Sequence, residues 1–350
     1  LTNSATKAPV ANARVIAYPD EGEPVILLSD ERGHVDINDA LQFKRLLVKQ
    51  PGYKLLDAPI ERMGRLDLFL VPFEARGIYI PFGVLALPDR VKALLDMVAE
   101  TELNMVTVDI KGDWAYLAWD SPNPIAREIG AFSPEELLSL TDLLRMCDER
   151  DIYVVARIVV FKDTILAKAK PEWAVKRADG TLYTDGEGLH WVDPFRQEVR
   201  DYMISLALEA AEMGFDEVQF DYVRFPSDGS TKTLEYQKEA VFDNRTALMA
   251  EFFRQASEAL APTRAFFSAD VFGLVVWMDP ERDMGIGQRV DDIAPYVDYL
   301  CPMLYPQTLG AGNLDYANPQ LHPYEVVFRS VRKTKTRTET DTFGPIEVAA

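Results

Sequence analysis

From residue 77 onward, short apolar runs alternate with longer helix-like stretches, and this alternation restricts the fold more than any other feature. GIYIPF (77–82), NMVTVDIK (104–111), YVVARIVVF (153–161), VQFDYVRF (218–225), AFFSADVFGL (265–274) and DYLCPMLYP (298–306) are rich in β-branched and aromatic residues, as strands are. Helices are expected near 88–101, across SPEELLSLTDLLRMCDER, at about 195–213 and near 235–260. In the second of these, Ser133 has the place of an N-cap, Pro134 the first helical position, and Glu136 completes a capping box. Near-continuous apolar strands, each followed by a crossover helix, imply a parallel sheet covered on both faces. Six such units predict an α/β fold of the (β/α)8 TIM-barrel type over residues 76–350, with a doubly wound sheet as the alternative. The end of the chain is less regular. An apolar run PYEVVFRSV (323–331) precedes the polar KTKTRTETDT, PIEVAA is expected to contribute to a seventh strand, and no eighth is legible.

Residues 1–75 have a different texture. NARVIAY, PVILLS, HVDI, RLLVKQPGY and RLDLFLVPF are β-like runs separated by turn chemistry such as PDEGEP and DERG, which predicts a small all-β sandwich. APVANARVIAY, SDERGHVDI and LLVKQPGYK resemble the carboxypeptidase regulatory-like (transthyretin-like) domains over most of this stretch. That resemblance implies an accessory module without chemistry of its own.

The formal net charge of −19 argues against nucleic acid and anionic membrane surfaces as main partners, since both attract basic patches. No run reaches the ~20 apolar residues of a membrane span. Cys147 and Cys301 are expected as buried free thiols. No Cys/His cluster suggests a metal site, and no GxGxxG or P-loop opens a helix, so neither metal nor other cofactor is expected.

In a β/α barrel, polar residues at the C-terminal ends of strands face the active-site mouth. VTVDIKGD places Asp109, Lys111 and Asp113 there; the third strand carries Arg157, with Lys162 and Asp163 after it. Asp221 stands near the end of the fourth strand with Arg224 beyond it, Asp270 ends FFSAD on the fifth, and Tyr305 lies at the rim of the sixth. Asp113 and Asp163 read most simply as turn or N-cap residues. Lys111 and Arg157 also fit structural ion pairs. Asp221 and Asp270 resist such readings, because both lie within or at the end of a strongly apolar strand and on neighbouring strands. Two carboxylates across a cleft suit glycoside hydrolysis, with Asp221 as nucleophile or base and Asp270 as general acid/base. Arg224 or Arg157 beside one of them would hold it ionised, and an apolar wall would raise the other. Trp114, Tyr116, Trp119, Trp191 and Trp277 follow strands or precede helices where a sugar could stack on them.

VTVDIKGD, VARIVVFKD, GLHWVDP, EVQFDYVRFPSDG, SADVFG and CPMLYP, in this order, resemble a family of bacterial TIM-barrel proteins assigned as glycoside hydrolases. The likeness runs from about residue 76 to 330. It implies a polysaccharide or cell-wall glycan substrate and a secreted or cell-envelope setting, and it carries over Asp221 and Asp270 as the acidic pair. Asp109, Lys111, Arg157, Asp193, Arg224 and Tyr305 fall in matched motifs as substrate-binding or supporting residues. Two rival readings remain at this point. One is a non-catalytic carbohydrate-binding module; the other is a metal-dependent hydrolase or deacetylase using Asp109, Asp221 and Asp270 as oxygen ligands.

Overall fold

A computed structural model describes residues 1–60, 64–229, 231–338 and 347–348. At the N-terminus, β1 (Thr2–Asn3) pairs in parallel with β6 (Phe69–Leu70). Between them β2 (Arg14–Pro19), β3 (Val25–Leu28), β4 (Phe43–Lys49) and β5 (Leu56–Pro59) form an antiparallel sheet in the order β3-β2-β4-β5. The run HVDI, expected as a strand, is irregular; its Val35 and Ile37 pack on the core of this sheet instead. Successive strand residues point to opposite faces. Leu46, Leu47, Val48 and Lys49 are nonetheless all buried, so both faces of β4 are covered. Leu46 and Val48 belong to the sheet's own core. On Lys49 the cover is the larger unit, because its ammonium donates to the carbonyls of Ala265 and Thr263.

The larger unit is a curled parallel sheet built from β7 (Gly77–Ile80), β8 (Met105–Lys111), β9 (Tyr153–Val159), β11 (Glu217–Asp221), β13 (Phe266–Phe272) and β14 (Tyr299–Met303). These six neighbour one another in sequence order, and β15 (Glu347–Val348) adds a short seventh strand beside β14. Among the described residues no strand joins β7 to β15, so the sheet is an open half-barrel rather than a closed ring of eight. Outside it, β10 (Lys176–Arg177) and β12 (Leu234–Glu235) make a small antiparallel pair. The helices are α1 (Pro88–Ala99), α2 (Pro124–Ile129), α3 (Leu140–Asp148), α4 (Thr164–Ala169), α5 (Gln197–Met213), α6 (Phe242–Leu260), α7 (Val290–Ile293) and α8 (Pro323–Thr338). One continuous apolar cluster joins strands and helices, from Ile80 and Val106 through Phe220 and Phe252 to Leu300.

Several boundaries differ from those expected. Helix α3 begins six residues later than expected, at Leu140 rather than Pro134. Ser139, not Ser133, accepts the Asp142 N–H at 3.1 Å, and Ser133 closes a local turn with Glu135. The intervening stretch is tied down by other main chain: Leu138 N–H donates to the Leu85 carbonyl at 2.8 Å, and Leu117 bridges Phe132. Helix α6 starts at Phe242 because Leu234–Glu235 pairs as a strand. PYEVVFRSV opens α8, which continues through KTKT because Val326, Ser330, Thr334 and Thr338 line one buried face at i, i+4 spacing.

The N-terminal unit meets the sheet at the N-terminal ends of its strands. Arg14 pairs with Asp298, Tyr18 donates to the Pro262 carbonyl, Gly52 N–H reaches Tyr299 Oη at 3.2 Å, and the Phe73 and Tyr153 rings lie 4.9 Å apart. The opposite, C-terminal ends of the strands are left open as a mouth.

Candidate active site

The parallel register brings charge to that mouth. Asp109 on β8 is paired in register with Arg157 on β9, which neighbours β11 carrying Asp221. Asp270 lies on β13, the next strand. The Arg157 guanidinium is the hub. Its Nη1 is 2.5 Å from Asp109 Oδ1, and its Nη2 and Nε are 2.5 and 3.1 Å from Asp221 Oδ2. Nε is also 3.8 Å from Asp270 Oδ2, and Nη2 is 4.0 Å from Asp113 Oδ1. Burial works against the Arg157 charge, but Asp221 and Asp109 outweigh it and raise its pKa.

The two central carboxylates live differently. Both oxygens of Asp221 are engaged: Oδ2 by Arg157, and Oδ1 by the N–H of Tyr222 at 2.5 Å. Tyr222 has φ 50°, a left-handed backbone unusual for a large side chain. That turn ends β11 at Asp221 and folds the next N–H back onto its carboxylate. Asp270 accepts no side-chain hydrogen bond among the described residues, and its side chain keeps 14% exposure. Burial raises its pKa well above the carboxylate range, repulsion from Asp221 adds to this, and Arg157 opposes it only in part. The pair is therefore chemically split, one acid held against a cation and the other biased towards its protonated form.

Around them, the Tyr79 hydroxyl donates to Asp109, and Arg157 lies 5.5 Å from the centre of the Tyr79 ring. The same Asp113 Oδ1 is buried and accepts no hydrogen bond among the described residues. Burial raises its pKa, against Lys162 and Arg157 and together with Asp109 and Asp221. Tyr305 is half exposed, and its phenol is raised by burial, then by Asp270 and Asp221. Trp114 follows Asp113 and is 66% exposed.

Other residues singled out in the sequence lie elsewhere. Lys111 is fully buried: its ammonium meets Asp163 at 3.0 Å and the Val159 carbonyl at 2.7 Å. The register of β8 against β9 shifts between Asp109 and Lys111. Asp163 caps α4 through Leu166 N–H, as its position suggested. Asp193 is buried and accepts the N–H groups of Phe195 and Gln237, a loop brace rather than a substrate contact. Trp191 is buried, its indole bound to Asp185 at 3.0 Å. Arg224 holds neither carboxylate of the pair; Arg157 does that work. Trp119 and Trp277 are tied to Glu209 and Ser330, which leaves Trp114 as the more freely presented ring. Tyr79 and Tyr222 escaped sequence reasoning. The alternation in GIYI was a signal for Tyr79, since its flanking isoleucines face the other way.

Among the described residues, no group of three or more His, Cys, Asp or Glu side chains is arranged to hold a metal ion. The space between Asp109, Asp221 and Asp270 is taken by a guanidinium.

Residues 77–346 match the family described as "Putative glycosyl hydrolase domain". The chain belongs to that family. A hypothetical protein from Ruminiclostridium thermocellum ATCC 27405 is 35% identical, covering 55% of this chain and 97% of that one, with a TM-score of 0.49. The PgaB (BpsB) glycoside hydrolase domain from Bordetella bronchiseptica superposes with a TM-score of 0.54 at 12% identity, covering 76% of this chain and 81% of that one. Alpha-L-fucosidase isoenzyme 2 from Paenibacillus thiaminolyticus does so with a TM-score of 0.50 at 15% identity, covering 67% of this chain and 36% of that one. At such identities the last two show the fold alone. No curated protein matches the chain.

Proposed function

We propose that this chain is a glycoside hydrolase cleaving a polysaccharide or cell-wall glycan, with Asp221 as nucleophile and Asp270 as general acid and then base. The observation that carries this is the shared guanidinium. Asp221 and Asp270 approach the same Arg157 Nε from neighbouring strands, at 3.1 and 3.8 Å. Their nearest oxygens therefore lie within about 7 Å of each other, a bound compatible with the ~5 Å spacing of retaining enzymes. Asp270, protonated, gives its proton to the glycosidic oxygen as Asp221 attacks the anomeric carbon, so that the leaving sugar departs as an alcohol. The resulting Asp270 carboxylate then takes a proton from a water that attacks the same carbon, breaking the bond to Asp221 and regenerating both acids. Arg157 counters the Asp221 charge before attack and after release. Tyr79 and Asp109 fix the guanidinium, while Trp114 and Tyr305 offer exposed rings for sugar faces.

The test is digestion of a glycan library with product analysis. Asp221→Asn and Asp270→Asn should each lower turnover by at least ~100-fold, and the first-formed sugar should keep the anomeric configuration of the substrate. Turnover that both variants leave intact would refute the assignment. Inverted product would move Asp221 to the role of base.

A further inference from the structure

Arg224 is a buried cation without an anion. It is 6% exposed, and no carboxylate lies within ion-pair distance of it among the described residues, whereas Arg157, Lys111 and Lys162 each have one. Its guanidinium stands over three rings, 4.5 Å from Phe272, 4.9 Å from Trp191 and 5.2 Å from Tyr222. Among the described residues its Nη1 donates to the Phe225 carbonyl and the Ser227 hydroxyl, both at 3.1 Å. Nε and Nη2 have no hydrogen-bond partner among the described residues, and the side chain keeps some exposure. Two of the three rings adjoin the acid pair: Phe272 is two residues past Asp270, Tyr222 is the residue after Asp221, and both are only partly buried.

Aromatic faces compensate a guanidinium only in part, and an unpaired buried charge is costly. Such a group suits a ligand that brings the counter-ion, and the planar fork of arginine matches a carboxylate bidentately. We propose that Arg224 binds an acidic substituent of the glycan, so that the substrate is a polysaccharide bearing carboxylates next to the scissile bond. This rests on the glycoside hydrolase reading above. Asp221 and Asp228 act on Arg224 from beyond ion-pair distance, and repulsion from more distant carboxylates is screened over about 8 Å at physiological salt.

The experiment compares charged and neutral forms of the same glycans: alginate and peptide-stripped cell-wall glycan strands, each native and carboxyl-reduced. Hydrolysis is measured on the wild-type chain, and binding by calorimetry on the Asp270→Asn chain. Native glycan should be preferred about 10- to 100-fold in kcat/KM or affinity. Arg224→Met should shrink that preference to within about threefold, and Arg224→Lys, which keeps the charge without the fork, should retain part of it. Equal use of native and reduced glycan overturns the proposal and leaves the hydrolase reading standing. So does a preference that Arg224→Met leaves unchanged while both activities fall, since Arg224 would then only brace Tyr222. Arg224-dependent binding without cleavage would keep the subsite and sink the hydrolase. Neither binding nor cleavage of any form would sink both.

Discussion

Replacing Asp270 by asparagine keeps the shape of the side chain and removes only its ionisation. In the folded chain, burial and then Asp221 raise this carboxyl well above the usual range, with Arg157 opposing. In the unfolded chain it titrates near about 3.9. Between those two values the folded state keeps a proton that the unfolded state has lost. Wild-type stability therefore falls with rising pH through that window, by about 1.4 kcal/mol per pH unit from this group. The contribution is whole below about pH 4 and is gone once the pH has passed the folded value. The asparagine variant lacks it. Its stability relative to wild type should thus climb from about pH 4 at that slope and level off where folded Asp270 ionises. Urea unfolding of both proteins between about pH 4 and pH 8 reads the gap directly, because every other titrating group is shared. Activity should fall at least ~100-fold in the same variant, so stability and turnover move in opposite directions. A gap that stays flat with pH, or an asparagine variant that loses stability relative to wild type as pH rises, would refute the split between the two acids.

Other perturbations test the surroundings. Arg157→Met strands Asp109 and Asp221, whose side chains are 6% and 8% exposed, and should cost about 3–5 kcal/mol in urea unfolding; a loss under about 1 kcal/mol would mean the clamp is slack. Gly273→Ala would press a methyl group into the Met303 carbonyl oxygen beside the end of β13. It should destabilise the chain by about 1–3 kcal/mol and lower turnover, as thermal melting and a glycan assay would show. Trp114→Ala removes an exposed ring and should leave stability within about 0.5 kcal/mol while raising KM for a productive glycan several-fold, with kcat little changed.

What the sequence disclosed depended on how local the cause was. Six strands were legible because each is a short run rich in apolar residues, most of them buried on both faces, and Asp221 and Asp270 stood out by interrupting two of them. The start of α3 was not legible. SPEE is a sound capping box, yet main-chain bonds to Leu85 and Leu117 claim that stretch first. Lys111 and Arg157 looked alike as strand-end cations. Their fates diverge through a bulge between Asp109 and Lys111, which register alone reveals. The choice of Arg157 over Arg224 as the acid's partner was equally hidden, since it depends on side chains crossing between strands. The positive φ of Tyr222 left no trace at all in a residue type that disfavours it.

The small N-terminal sheet bears on how freely the half-barrel unit can be transplanted. Asp298 clips β13 to β14 by accepting the Phe267 N–H at 2.9 Å, and its counter-charge, Arg14, comes from the front unit. The carbonyls of Ala265 and Thr263 likewise receive their donor from Lys49. A graft that placed a different module ahead of residue 77 would leave a bare carboxylate and two unmet acceptors at the base. Any exchange of the front module must therefore carry this arginine and lysine, or their equivalents, with it.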